Sequence, residues 1–179
     1  MEIETGLRER ARKVRVVLMD VDGVLTDNRI LMFSDGTEGR GFSARDGQGI
    51  RLGQRGGLNF GIISGRESPV VAKRAEELYI TEVHQGVFDK VERYDELLRR
   101  LQVSDEDTCY IGDDLVDAPV MSRVRLAVAP ADAAAEVREV AHWVTPRRGG
   151  EGVVRDVVDL ILRAQDKWET VTGRYFPKQ

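Results

Sequence analysis

Three observations predict an α/β fold, a doubly wound parallel sheet. Short apolar runs rich in β-branched residues alternate along the whole chain with segments of helical period, the pattern of βαβ units joined by right-handed crossovers. At 179 residues, 41% of them hydrophobic, the chain can bury one sizeable core, so one domain spanning 1–179 is expected. The acids, serine, lysine and arginines suited to chemistry gather directly after the apolar runs, at the edge where parallel sheets bind ligands.

In chain order, residues 4–13 have the loose periodicity of a short helix with Thr5 as a candidate N-cap. Val16–Met19, all apolar, is a buried strand. Residues 28–45 contain two β-prone runs around Ser34-Asp35-Gly36, a protruding hairpin. Its apolar 30–33 run does not alternate, so it should pack against another subunit or act as an aggregation-prone edge. Asp46 is a candidate cap for the next helix, which Gly56-Gly57 stops. Asn59–Ile63 is a strand and 67–78 a helix; 80–84 is a strand and 89–101 a helix. Thr108–Ile111 and Leu126–Ala129 are further strands, with a helix at 131–140 and a short last strand at 143–145. The segment 153–168 has the apolar stripe of an amphipathic helix, and the tail 169–179 has no helical pattern.

The chemistry starts at Asp20 and Asp22, which follow the first strand. On extended chain their carboxylates share one side, and two hard oxygen ligands there suit Mg²⁺. Ser64-Gly65-Arg66 follows the second strand of the sheet and leads into a helix, the makings of a phosphate cradle. Lys90 stands in the first turn of a helix, against the dipole, and asks for an explanation. Gly112-Asp113-Asp114 with Asp117 repeats the acidic cluster after another strand, costly in repulsion unless a cation unites it with Asp20. A basic glycine-rich loop, with Arg147 and Arg148, lies beyond the last strand.

A net charge of −4 argues against a broad nucleic-acid surface, so an anionic substrate must be met by locally placed cations. No apolar run is long enough to span a membrane and no signal-peptide core precedes the first helix, which makes the cytoplasm the expected location. The single cysteine, Cys109, allows no internal disulfide. His84 and His142 stand alone and read as structural.

The order of D-x-D-G-V, Ser-Gly-Arg, Lys90 and Gly-Asp-Asp resembles the haloacid dehalogenase superfamily of phosphohydrolases, across nearly the whole chain. DVDGVLTD, FSARDGQGI, IISGR, QGVFDK, YIGDDLVDAPVM and GGEGVVRD resemble its 3-deoxy-D-manno-octulosonate 8-phosphate phosphatase subfamily. The resemblance implies a Rossmann-like fold, Asp20 as nucleophile and Asp22 as general acid and base. It implies Mg²⁺ on the Asp20 carboxylate, the Asp22 carbonyl and Asp113, with Asp114 alongside, and Ser64 and Lys90 on the phosphoryl group. Backbone amides near Gly23 and Gly65 are expected to share that charge, and Arg45, Arg66, Arg147 and Arg148 to meet the carboxylate of a phosphorylated sugar acid. The resemblance also implies lipopolysaccharide biosynthesis and a homotetramer in which hairpins associate and tails reach a neighbour's site. Asp20, Ser64, Lys90 and Asp113 are spaced by 44, 26 and 23 positions, filled by core elements, which leaves no room for a cap domain. Arg40, Asn28 and Glu151 depart from the subfamily's usual lysine, glycine and arginine. Glu151 and Arg40 keep a nonulosonate 9-phosphate open as the alternative substrate. A phosphorylation-controlled receiver domain and an idle oligomerisation module are the rival classes.

Overall fold

Four β-branched or long apolar residues with no polar partner among them have to be buried on both faces, and Val16–Met19 forms the central strand, β1, of a six-stranded parallel sheet. In the computed structural model, residues 4–176 are described. Helix α1 (Thr5–Arg12) precedes β1, and a hairpin of β2 (Leu31–Met32) and β3 (Glu38–Gly39) follows it. Then come α2 (Ala44–Arg55), β4 (Asn59–Ile63), α3 (Pro69–Glu77), β5 (Glu82–His84) and α4 (Lys90–Leu101). The second half runs β6 (Thr108–Ile111), α5 (Ala118–Met121), β7 (Leu126–Ala129), α6 (Ala135–Val140), β8 (Trp143–Val144), α7 (Val153–Ala164) and α8 (Trp168–Thr172).

The sheet order is β5-β4-β1-β6-β7-β8, every neighbouring pair parallel. Alternate residues of each strand serve opposite cores. Val17, Met19, Phe60, Ile62, Cys109 and Ile111 pack beneath α1, α2, α3 and α7, while Val16, Leu18 and Tyr110 pack beneath α4, α5 and α6. The sheet is therefore doubly wound, as expected. The chain winds from β1 through β4 to β5, then crosses to β6, so the direction reverses between β1 and β6, the point at which such sheets hold ligands.

The packing of α2 on α7 depends on glycine. A Cβ on Gly49 would lie 2.7 Å from the Cα of Arg155, and one on Gly53 3.3 Å from Val158 Cγ1 as well as 2.5 Å from the Phe60 ring of β4. Glycine in a helix interior costs about 1 kcal/mol against alanine, which the packing offsets. Asp46, expected to cap its own helix, instead caps α7: its buried carboxylate accepts the amides of Gly152 (3.1 Å) and Arg155 (2.9 Å), while Ser43 caps α2.

Several boundaries differ from the expectation. The strand expected at 80–84 covers only 82–84, and α6 begins at Ala135 after a turn. Helix α7 stops at Ala164 rather than 168, because Asp166 takes a left-handed conformation (φ 57°). The tail then forms α8 and a 3₁₀ turn, Gly173–Tyr175, where no helix was expected. Arg163 and Trp168 stack at 4.1 Å, and the Tyr175 hydroxyl accepts from Arg55 (2.7 Å) and Gln48 (3.0 Å), so this part of the tail lies on α2 of its own chain. Residues 177–179 of the expected tail lie outside the described residues. The hairpin forms about its turn as expected, with Leu31, Met32 and Phe33 each more than half exposed.

Candidate active site

The Asp20 amide donates to the Ile111 carbonyl (3.0 Å), extending the β1–β6 ladder by one step. The chain then leaves the strand: the amides of Val24, Leu25 and Thr26 all turn back to the Val21 carbonyl. Period-two alternation therefore ends at Asp20, and the expected convergence of the Asp20 and Asp22 carboxylates does not occur. Asp22 turns instead to Arg40, whose Nε donates to its Oδ1 at 2.8 Å.

Asp20 joins a buried cluster built from three more elements. Lys90, at the first position of α4, reaches Asp20 Oδ2 (2.8 Å) and Asp117 Oδ1 (2.7 Å). Its helix is capped by Asp89, which accepts the amides of Val91 and Glu92, so the lysine is free to point inward. Burial pulls Lys90 down, but Asp20 and Asp117 more than reverse that and hold it above its ordinary range. Asp117 is fully buried and saturated: it also accepts the Tyr110 hydroxyl (2.7 Å) and the amides of Asp113 (3.1 Å) and Asp114 (3.3 Å). It anchors the loop after β6 and orients Lys90. The spacing D-D-x-x-D marked its position, but its role as the anchor depends on tertiary contacts.

Asp20, Asp113 and Asp117 bring one carboxylate oxygen each to within 4.8 Å of one another. Three carboxylates against one ammonium leave an excess of two negative charges, the deficit that one divalent cation cancels. Burial, offset by Lys90 and aggravated by Asp117, raises Asp20 to about 6. Burial and repulsion from Asp20, Asp117 and Asp114 raise Asp113 to about 8. Asp113 Oδ1 is buried and has no hydrogen-bond partner among the described residues, an acceptor of the kind a hard cation satisfies. Gly23 opens the space beside it: at φ 84°, its Cβ would fall 1.9 Å from Asp113 Oδ2. The donor set fits Mg²⁺ on Asp20 and Asp113. Asp114 is not brought into the cluster. It is exposed, with Oδ1 accepting its own Leu115 amide at 2.7 Å.

Ser64, buried at the end of β4, extends the β4–β5 ladder through its amide to His84 (2.9 Å). Its hydroxyl accepts the Arg66 amide at 3.4 Å, leaving its own proton to donate. Helix α3 starts only at Pro69, so Gly65 and Arg66 form an exposed turn before the helix rather than its first turn. Arg66 reaches back to Asp22 (4.0 Å) and Glu38 (3.7 Å).

The other arginines are less alike than the sequence suggested. Arg147 is held by Asp156 of α7, its Nε 3.1 and 3.0 Å from the two oxygens. Arg148 is exposed near Asp132 (3.6 Å). Arg45, exposed at the start of α2, lies against Gly152 and has no ion pair among the described residues. The glycine-rich loop braces the turn after Asp20: Gly150 donates to the Val24 carbonyl (3.0 Å), and a Cβ on Gly149 would lie 2.0 Å from the Gly23 carbonyl. Asn28, at φ 63° where glycine is at ease, donates weakly to Asp113 (3.4 Å).

A parallel α/β sheet with a carboxylate, lysine and acidic loop at its switch point defines a hydrolase of the Asp-based phosphoryl-transfer class, and a family model for haloacid dehalogenase-like hydrolases matches residues 70–156. The chain is 47% identical over 165 residues to the 3-deoxy-D-manno-octulosonate 8-phosphate phosphatase of Yersinia pestis, covering 92% of this chain and 88% of that protein. It is 41% identical to the Escherichia coli K12 phosphatase of the same name, with the same coverage. A crystal structure of that phosphatase from Moraxella catarrhalis with magnesium, phosphate and KDO superposes with a TM-score of 0.94 at 32% identity, covering 97% of this chain and 99% of that one. The chain belongs to the 3-deoxy-D-manno-octulosonate 8-phosphate phosphatase family of haloacid dehalogenase-like hydrolases.

Proposed function

We propose that this chain is a Mg²⁺-dependent phosphomonoesterase that hydrolyses 3-deoxy-D-manno-octulosonate 8-phosphate to the free sugar acid and phosphate. The observation that carries the reading is the buried Asp20–Lys90–Asp117 chain beside Asp113 and its unpartnered oxygen. The Asp20 carboxylate attacks phosphorus, the bond from phosphorus to the sugar oxygen breaks, and Asp22 gives that oxygen a proton. Water then attacks the aspartyl-phosphate, Asp22 takes its proton, and phosphate leaves with Asp20 restored. Lys90, the Ser64 hydroxyl and the amides around Gly23 and Gly65 balance charge on the phosphoryl oxygens. Asp20, Asp113 and the Asp22 backbone would hold Mg²⁺, which when bound would supply a further positive charge for the nucleophile and the phosphoryl group.

Metal binding should depend on pH with a definite sign. Both carboxyls are raised, so their protonated forms favour the folded state. That contribution is full below pH about 4 and is lost as pH rises through about 6 and about 8. Mg²⁺ needs the ionised forms, and each displaced proton costs about tenfold in affinity per pH unit below the folded value. The Mg²⁺-induced rise in Tm over an EDTA control should thus be larger at pH 8 than at pH 5.5. Equal rises would count against these ligands.

The substrate carries a carboxylate as well as a phosphate, and recognition of that carboxylate by Arg66 and Arg45 is supported by Arg66 lying beside Asp22 and by Arg45 being exposed with no ion pair among the described residues. We expect kcat/KM for the octulosonate ester to exceed that for a nonulosonate 9-phosphate and for hexose phosphates. Arg66→Ala should lower it about 10- to 100-fold, the worth of a charge-assisted bond, and leave p-nitrophenyl phosphate little affected. Equal turnover of hexose phosphates removes carboxylate recognition while sparing the phosphatase reading.

The chain serves as one cap-free domain in the cytoplasm; among the described residues no helix is long and apolar enough to cross a membrane. The exposed Leu31, Met32 and Phe33 of the hairpin support its reading as an assembly element, and the assembly proposed is a homotetramer. Light scattering should give four chains for wild type and fewer for Met32→Glu. A monomeric wild type at micromolar concentration removes this part of the reading.

A further inference from the structure

Arg40, one residue past β3, has a side chain with no exposed surface. A guanidinium is buried only when its donors are met by acceptors, and here each nitrogen has one. Nε and one terminal nitrogen face Asp22 Oδ1 (2.8 Å) and Oδ2 (3.4 Å). The other terminal nitrogen donates to Glu38 Oε1 (2.5 Å) and to Ser68 Oγ (2.8 Å), the residue before α3. The hairpin is thereby fastened to the first residue of the α3 boundary on one side and to Asp22 on the other. Asp22 itself lies in a turn, outside the strand ladder, and its carboxylate has no hydrogen-bond donor other than Arg40 among the described residues; Arg66 stands off at 4.0 Å.

We propose that Arg40 is a positioning residue: the hairpin carries it into the core so that its planar fork fixes the Asp22 carboxylate for proton transfer. This rests on the reading of Asp22 as acid and base. Lysine's three donors radiate from one nitrogen, whereas the planar fork presents separate N–H groups to both Asp22 oxygens and a further nitrogen to Glu38 and Ser68. A carboxylate misplaced by about 1 Å costs on the order of 10²-fold in rate.

The test is the aryl ester p-nitrophenyl phosphate, because nitrophenolate leaves without needing a proton. In Arg40→Gln the first step, formation of the Asp20–phosphorus bond with release of nitrophenolate, still runs. The second step, in which Asp22 takes the proton of the attacking water, slows. Rapid mixing should therefore show a burst of about one nitrophenolate per chain followed by turnover about 10²-fold below wild type, with KM falling in parallel so that kcat/KM stays within about threefold. Arg40→Lys should recover part of kcat. Ser68→Ala, which loosens the far side of the fork and leaves Arg40 and Asp22 in place, should show a weaker form of the same burst; it carries the test if Arg40→Gln fails to fold. Wild-type kcat in both variants, a rise in KM alone, or a loss of rate that follows a lower Tm without a burst overturns the proposal. A wild-type protein inert towards every phosphomonoester would instead overturn the phosphatase reading.

Discussion

Asp20→Asn should remove turnover, by a factor on the order of 10⁴ or more as for loss of a nucleophile, and leave the protein folded. The amide cannot form an acyl-phosphate, yet it fills the same volume against Val21 and Lys90. Asp20 is raised by burial and by Asp117, so its charge costs stability in the metal-free protein. The neutral amide relieves repulsion with Asp113 and Asp117 and gives up one contact, because its single oxygen keeps either the Val21 amide (2.6 Å) or Lys90 (2.8 Å). Tm in EDTA should stay within a few degrees of wild type. Wild-type kcat on any phosphomonoester in this variant would end the aspartyl-phosphate mechanism, and mass spectrometry of quenched wild type should find the phosphoryl adduct that the variant lacks.

Lys90→Met should cost both stability and rate. The ammonium is buried and pairs with two carboxylates at 2.8 and 2.7 Å. Replacing it leaves Asp20, Asp113 and Asp117 without a cation, and breaking a buried pair costs about 3–5 kcal/mol. At about 2–4 °C per kcal/mol for a chain of this size, Tm in EDTA should fall by roughly 6–20 °C. Mg²⁺ should restore part of the loss by taking up some of the excess charge. The fall in kcat should reach about 10²- to 10³-fold, the cost of losing a preorganised charge at the phosphoryl group. An unchanged Tm in EDTA would mean that Lys90 does not hold the acidic cluster together. Conversely, if Mg²⁺ rescued kcat fully, Lys90 would have no part in phosphoryl transfer.

The fold was legible because its signal is local and repeated. Val16–Met19, Asn59–Ile63, Thr108–Ile111 and Leu126–Ala129 are apolar enough to declare themselves strands. The segments between them carry a helical stripe. Boundaries were read less well where one residue outside the pattern decides them, as Asp166 does in ending α7, or where a short segment such as α8 depends on packing of Trp168 and Tyr175 against other elements.

The sequence by itself determined the parallel α/β architecture, the edge on which Asp20, Ser64, Lys90 and Asp113 meet, and the need for a cation there, since each follows from residue type and from position relative to a strand end. Only the tertiary structure decided how those groups pair. Asp22 parts from Asp20 because the chain turns after β1, and Arg40 reaches it across 18 residues of hairpin. Asp46 caps a helix 106 residues away, and Asp117 rather than Asp114 turns inward to Lys90. Side-chain direction in a turn, and partners brought together by a folded chain, are set by contacts between distant segments, which no local pattern encodes.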